Sequence, residues 1–161
     1  MVGFGMLVLR LALAAIFIAH GGNKLFGLFG GPGIGPGGLS LTAAFFSQIG
    51  LQPAFLLATA DAVLELAGGV LLIFGFLTRW VSLGLSIAMG IAIWKVHFQF
   101  GFFMNWMGAA DRGQGMEFSI LLIAALLCLA FAGAGELSID GVNQRSAARD
   151  AAGRARLRGK I

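Results

Sequence analysis

Charge is scarce in this chain. Of 161 residues, 11% are charged and 58% hydrophobic, and the mean hydropathy is +0.91. A soluble domain carries roughly a quarter charged residues. So little polar surface cannot cover the chain in water, which leaves the lipid bilayer as its solvent. Tyrosine is absent, and the single cysteine, Cys128, excludes an internal disulfide and an internal CxxC relay. Cys128 itself reads as a small buried apolar residue. No GxGxxG opens a helix, and there is neither a Walker loop nor a CxxCH. The glycine-rich "GGPGIGPGG" follows no strand, so it does not qualify as a phosphate cradle.

What the chain does have is long apolar runs. Spanning a bilayer takes about 20 mainly apolar residues in a helix, and four stretches qualify, at 3–20, 54–76, 80–98 and 117–134. Backbone groups in lipid need internal partners, so helices are expected. The fold class is therefore all-α, an integral membrane four-helix bundle in one domain, 1–142, followed by a basic tail, 143–161. The first run could be a signal peptide, but Phe17 stands where cleavage after Ala19 needs a small residue, so it reads as a retained helix. Runs two and three meet at the tight turn "GFLTRW" and form a hairpin. Between runs one and two, "SLTAAFFSQIG" suits a short interfacial helix with Ser40 as N-cap and Gly50 as C-cap.

The tail carries five Arg and one Lys against one Asp. The positive-inside rule places it in the cytoplasm, and with four spans the N-terminus lies there too. Such a tail reads as a disordered anchor drawn to anionic lipid, not as a nucleic-acid arm.

Ionisable groups within spans cost at least ~2.5–3.5 kcal/mol each near the bilayer centre, so they face the bundle interior and seek partners. Here they are Arg10, Asp61, Glu65 and Lys95, with His20, Lys24, His97 and Glu117 near the outer helix ends. Asp61 and Glu65, four apart, share one helix face. Lys95 and His97 are two apart, about 200° around a helix, so both cannot point straight inward. A long arginine at position 10 suits a buried pair with Glu65. The arrangement implied is a polar cavity open toward the outer face and floored by that pair. Each group also has an architectural reading: register-fixing for Arg10–Glu65, helix-end placement for His20 and Glu117, headgroup anchoring for Lys24. The ligand spacing matches no metal motif, so no metal is expected. Small-residue pairs such as Gly84–Ala88 and Ser86–Gly90 would permit a homodimer.

The segments "RLALAAIFIAHGGNKLFG", "ELAGGVLLIFGFLTRW" and "HFQFGFF", an acid opening the fourth span and "GELSIDG" after it resemble the DoxX family over residues 5 to 142. The pattern covers Arg10, His20, Gly21, Lys24, Glu65, Gly68, Gly69, His97 and Glu117. Here "GQGMEF" replaces a shorter Gly-aromatic-Glu form, and Asp61 stands outside the pattern. The resemblance implies a four-helix protein of a bacterial or archaeal cytoplasmic membrane. It also implies links to thiosulfate oxidation with quinone as acceptor, or to partner enzymes of thiol and oxidant defence.

Together these readings give a redox-linked membrane subunit with an intramembrane site for a quinone or a small sulfur species. His20, His97 and Glu117 are its catalytic candidates, and Arg10, Lys24, Asp61 and Glu65 its substrate-binding candidates. In that reading the histidines move protons, Glu65 orients Arg10 and Glu117 orients a histidine. The rival readings are a non-catalytic scaffold for a redox-enzyme partner and a small transporter of protons or a weak acid.

Overall fold

The computed structural model describes residues 2–29 and 37–158. Every regular element among them is helical: α1 Val2–Phe26, α2 Leu39–Gln48, α3 Ala54–Phe74, α4 Thr78–Ala92, α5 Glu117–Ala132 and α6 Ile139–Arg158. The protein is an all-helical membrane bundle. Helices α1 and α3, and α4 with its extension to Phe100, are long and apolar enough to cross a bilayer, whereas α5 has only 16 residues. At 1.5 Å per residue α5 is ~24 Å long, short of a ~30 Å hydrocarbon core. Large apolar side chains such as Phe55, Trp80, Ile87 and Phe131 remain exposed, as a lipid-facing surface requires.

The helices α1, α3, α4 and α5 alternate in direction. Backbone-to-backbone approach fixes the first pair. A Cβ on Gly21 would collide with the backbone of Leu66, and one on Gly69 would lie 2.8 Å from the Ile18 side chain and 3.1 Å from the Ala14 carbonyl oxygen. Only glycine permits α1 and α3 to lie this close. Gly68 faces Val81 and Leu85 of α4, and Gly84 faces Leu64 of α3, which sets the hairpin. Leu13, Phe17, Leu72, Leu85, Leu126 and Leu129 fill the core between these helices.

Arg10 is wholly buried, and it is not paired with Glu65. Its Nη1 donates to the carbonyls of Leu72 (3.1 Å) and Ile73 (3.2 Å), and its Nη2 to that of Leu137 (2.5 Å). Leu72 lies seven residues beyond Glu65, about 10 Å at helical rise. The antiparallel register set by the glycines thus places Arg10 at the end of α3. There Gly75, at φ +63, closes a Schellman turn with N–H bonds from Gly75 to Leu72 and from Phe76 to Leu71. Asp140 completes the junction: its carboxylate accepts from the N–H groups of Leu77 (3.1 Å) and Thr78 (2.9 Å) at the start of α4. Its own N–H donates to the Gly75 carbonyl. Helix-end groups left without partners by the backbone are therefore met by one guanidinium and one carboxylate.

Four other expectations change. The first helix continues six residues past His20, so His20 and Lys24 belong to α1. Gly38, not Ser40, precedes α2, and its C-cap is Ile49, not Gly50; Gly50 (φ +74) follows the cap, with Leu51 N–H bonded to Phe46 O. Cys128 is exposed on the outer side of α5 instead of buried. The basic tail is helical from Ile139 to Arg158, where disorder was expected. The glycine- and proline-rich stretch 30–36 and the last residues, 159–161, lie outside the described residues.

Replacing Arg10 by methionine strands three carbonyls and is expected to lower stability by more than about 2 kcal/mol. Asp140→Ala removes a helix cap, at a cost of about 1 kcal/mol. Gly75→Ala combines a left-handed backbone with a clash against Arg10 Nη1. Thermal unfolding in nanodiscs should rank Arg10→Met and Gly75→Ala below Asp140→Ala, and Asp140→Ala below the unaltered protein.

Candidate functional site

At the opposite end of the bundle α1 and α3 bring opposite charges together. Lys24 Nζ lies 2.5 Å from Asp61 Oδ2 and 2.9 Å from Glu65 Oε1. The two carboxylates stack one helical turn apart on α3, and the Gly21–Leu66 contact holds α1 close enough for one lysine to reach both. The Glu65 side chain is only 2% exposed, against 17% for Asp61 and 23% for Lys24. A cation buried against two anions loses much hydration and is retained only because these contacts replace it. α2 is docked onto the same end: the Thr42 hydroxyl, itself buried, lies 3.2 Å from the Lys24 carbonyl and 3.0 Å from that of Gly38.

Beside this cluster lies a cavity of about 810 Å³. Its polar wall includes His20, Lys24, Asp61, Glu65 and His97, and its apolar wall includes Phe17, Phe45, Phe46, Ile49 and Leu122. The far wall is shaped by a change in helix type. After Ala92 the α4 helix widens into a π turn, Ile93–His97, then tightens into a 3-10 turn, Phe98–Phe100. Such widened turns recur at functional sites. His97 Nδ1 donates to the Gln114 carbonyl at 2.9 Å. That contact fixes the ring and leaves Nε2 as its second polar atom. Lys95 also lines the cavity, with its ammonium 4.3 Å from the centroid of the exposed Trp94 ring.

The structure thus gathers five of the seven candidate residues, His20, Lys24, Asp61, Glu65 and His97, around one cavity. The other two stand elsewhere. Arg10 belongs to the opposite end. Glu117 accepts from the Met104 N–H (2.8 Å) and the Trp106 indole N–H (3.0 Å), so it folds the 101–116 loop and does not orient a histidine. Gly84 and Ala88 line the cavity, and a Cβ on Gly90 would meet nothing within 4 Å among the described residues. Gln114 and the aromatic face of α2 were not legible as site components: a backbone carbonyl leaves no mark in a sequence, and Phe45 and Phe46 look like any interfacial pair. Among the described residues no three His, Cys, Asp or Glu side chains converge as a metal ion would need. The walls suit a mainly apolar molecule that offers one or two polar atoms to the Lys24 end.

The family model for DoxX matches residues 5–98. A Bacillus subtilis (strain 168) protein named "Putative oxidoreductase CatD" is 35% identical over 136 residues, covering 84% of each chain. The Escherichia coli (strain K12) "Inner membrane protein YphA" is 26% identical over 138 residues, 84% of this chain and 87% of that one. A Haemophilus influenzae protein described as uncharacterized shares 36% over 76 residues, 47% of this chain and 46% of its own. No solved structure matches.

Lys24→Met leaves two carboxylates without their cation, and breaking a buried pair from one side costs about 3 kcal/mol or more. Adding Glu65→Gln to Lys24→Met removes the more deeply buried of the two charges. The double variant is expected to melt closer to the unaltered protein than Lys24→Met alone. Equal melting temperatures for the two variants would show that Lys24 and Glu65 are not coupled.

Proposed function

The chain belongs to the DoxX family, and we propose that it acts in a bacterial cytoplasmic membrane as a redox-linked subunit whose cavity takes a quinone. The observation that carries this reading is the cavity's composition: apolar and aromatic over most of its wall, with Lys24 and its two carboxylates forming one polar patch and His20 and His97 adding ring nitrogens to the lining. A quinone has the same division, a flat apolar ring and tail with carbonyl oxygens at the ring edge. His20 and His97 supply hydrogen-bonding nitrogens for those oxygens and routes for protons. A small sulfur anion is matched less well. Lys24 is already held by two carboxylates, and the other lysine that lines the cavity, Lys95, sits over the Trp94 ring.

In this reading α1, α3, α4 and α5 all cross the membrane, α5 with the help of its flanking residues. Both termini face the cytoplasm. Arg10, Arg79, Arg145, Arg149 and Arg154 then belong to the inner end, as the positive-inside rule requires, and the cavity lies in the outer half. A second reading, a scaffold for a redox-enzyme partner, draws on α6, whose exposed arginines Arg145, Arg149 and Arg154 present a basic surface beyond the bundle. Deleting residues 143–161 separates the two, because a cavity-based activity survives that deletion and partner capture through α6 does not.

The test is ligand-dependent stabilisation. A short-tailed quinone at a hundredfold excess over its Kd is expected to stabilise the nanodisc-embedded protein by about 2.7 kcal/mol. His20→Ala and His97→Ala should reduce that gain, and thiosulfate should give little. Absence of any shift with quinone, together with an unchanged redox phenotype in both histidine variants, would overturn the reading.

A further inference from the structure

Lys24 cannot neutralise both of its carboxylates. Asp61 and Glu65 set two acidic groups against one ammonium, and the deeper of the two, Glu65, engages it through Oε1 only. Its second oxygen, Oε2, is buried and has no hydrogen-bond partner among the described residues. Glu65 also lines the cavity. A buried carboxylate oxygen without a donor is costly. Two things relieve it: a proton on Oε2, or, once the side chain turns Oε2 out toward the cavity that Glu65 lines, a hydrogen bond from a molecule there.

The same atom then plays opposite parts in its two states. Protonated, Oε2 donates to a carbonyl oxygen; ionised, it accepts from a hydroxyl. A ring that carries a carbonyl when oxidised and a hydroxyl when reduced matches both states. We propose that Glu65 Oε2 is the proton-carrying contact for the ring oxygen, so that the oxidised ring binds with a proton on Glu65 and the reduced ring binds without it. The inference rests on the quinone reading above. It moves the ligand's proton from the histidines to Glu65 and makes Lys24 and Asp61 positioning residues. It concerns ring binding and one proton, with no electron transfer.

The charged or titratable groups around the cavity are His20 and Lys24 from α1, Asp61 beside Glu65 on α3, and Lys95 and His97 after α4. α2 contributes no titratable side chain, and from α5 Ser119 lines the wall. A pH profile alone would not single out one of these groups, so the experiment compares variants.

The probes are a short-tailed quinone and its hydroquinone, the latter under anaerobic conditions, titrated into the full-length protein in nanodiscs between about pH 5.5 and 8.5. One linked proton gives opposite slopes for the two rings, with a limit of about tenfold in Kd per pH unit. The oxidised ring should weaken as pH rises, and the reduced ring as pH falls. Glu65→Gln keeps a fixed amide donor, so the oxidised ring should bind with a flat profile and the reduced ring at least severalfold more weakly at high pH. The double variant His20→Ala, His97→Ala leaves Glu65 untouched and should keep both slopes, so it tests the assignment even where Glu65→Gln fails to assemble.

Slopes that persist in Glu65→Gln, or that vanish in the histidine double variant, overturn the proton assignment while the quinone site stands. If the unaltered protein binds neither ring, the quinone reading falls and this assignment falls with it.

Discussion

Helices α1 and α3 meet glycine against backbone, at Gly21 beside Leu66 and at Gly69 beside Ile18. That contact sets an antiparallel register with little freedom to slide, since any side chain larger than hydrogen at either glycine would force the helices apart. Everything polar inside the bundle depends on this register. It carries Lys24 to Asp61 and Glu65 at one end and Arg10 to the last carbonyls of α3 at the other. Lipid offers no water to forgive a misplaced charge, so a shift of one turn would leave both cations without partners.

The two ends use their cations differently. Around Arg10 the partners are backbone carbonyls and Asp140 caps the next helix, so that end is mechanical. Around Lys24 the partners are ionisable, and the space beside them is hollow. Arginine suits the first task because its planar fork reaches several carbonyls at once and stays charged. Lysine suits the second, as a compact point charge that two carboxylates can share. One helix, α1, thus carries a fixed junction toward one end and an ionisable cluster beside the cavity toward the other.

The cavity exists because several elements stop short of filling it. α4 gives up regular winding over Ile93–His97 just where it borders the space, and α2 borders it through Phe45 and Phe46. Glu117 ties the 101–116 loop through Met104 and Trp106, and Gln114, in the same loop, holds His97. The acid that opens α5 is therefore linked to His97 only indirectly, through the loop it ties.

The sequence by itself determined the solvent, the helical class and which ionisable residues lie within or beside the apolar runs. Composition and hydropathy decide these locally, since a charge in an apolar run must find a partner whatever the fold. Pairing was a different matter. Helical periodicity tells which residues share a face, so Asp61 and Glu65 were legible as a unit. It does not tell how far one helix is displaced along another, so Arg10 was matched to Glu65 when its partners were carbonyls at the end of α3. Cys128 went the same way: a small thiol fits a core or a lipid face equally, and only the rotation of α5 chose between them. Register, rotation and the π turn come from contacts between segments far apart in the chain. It was the tertiary structure alone that separated the arginine that holds the bundle from the lysine and carboxylates that border the cavity.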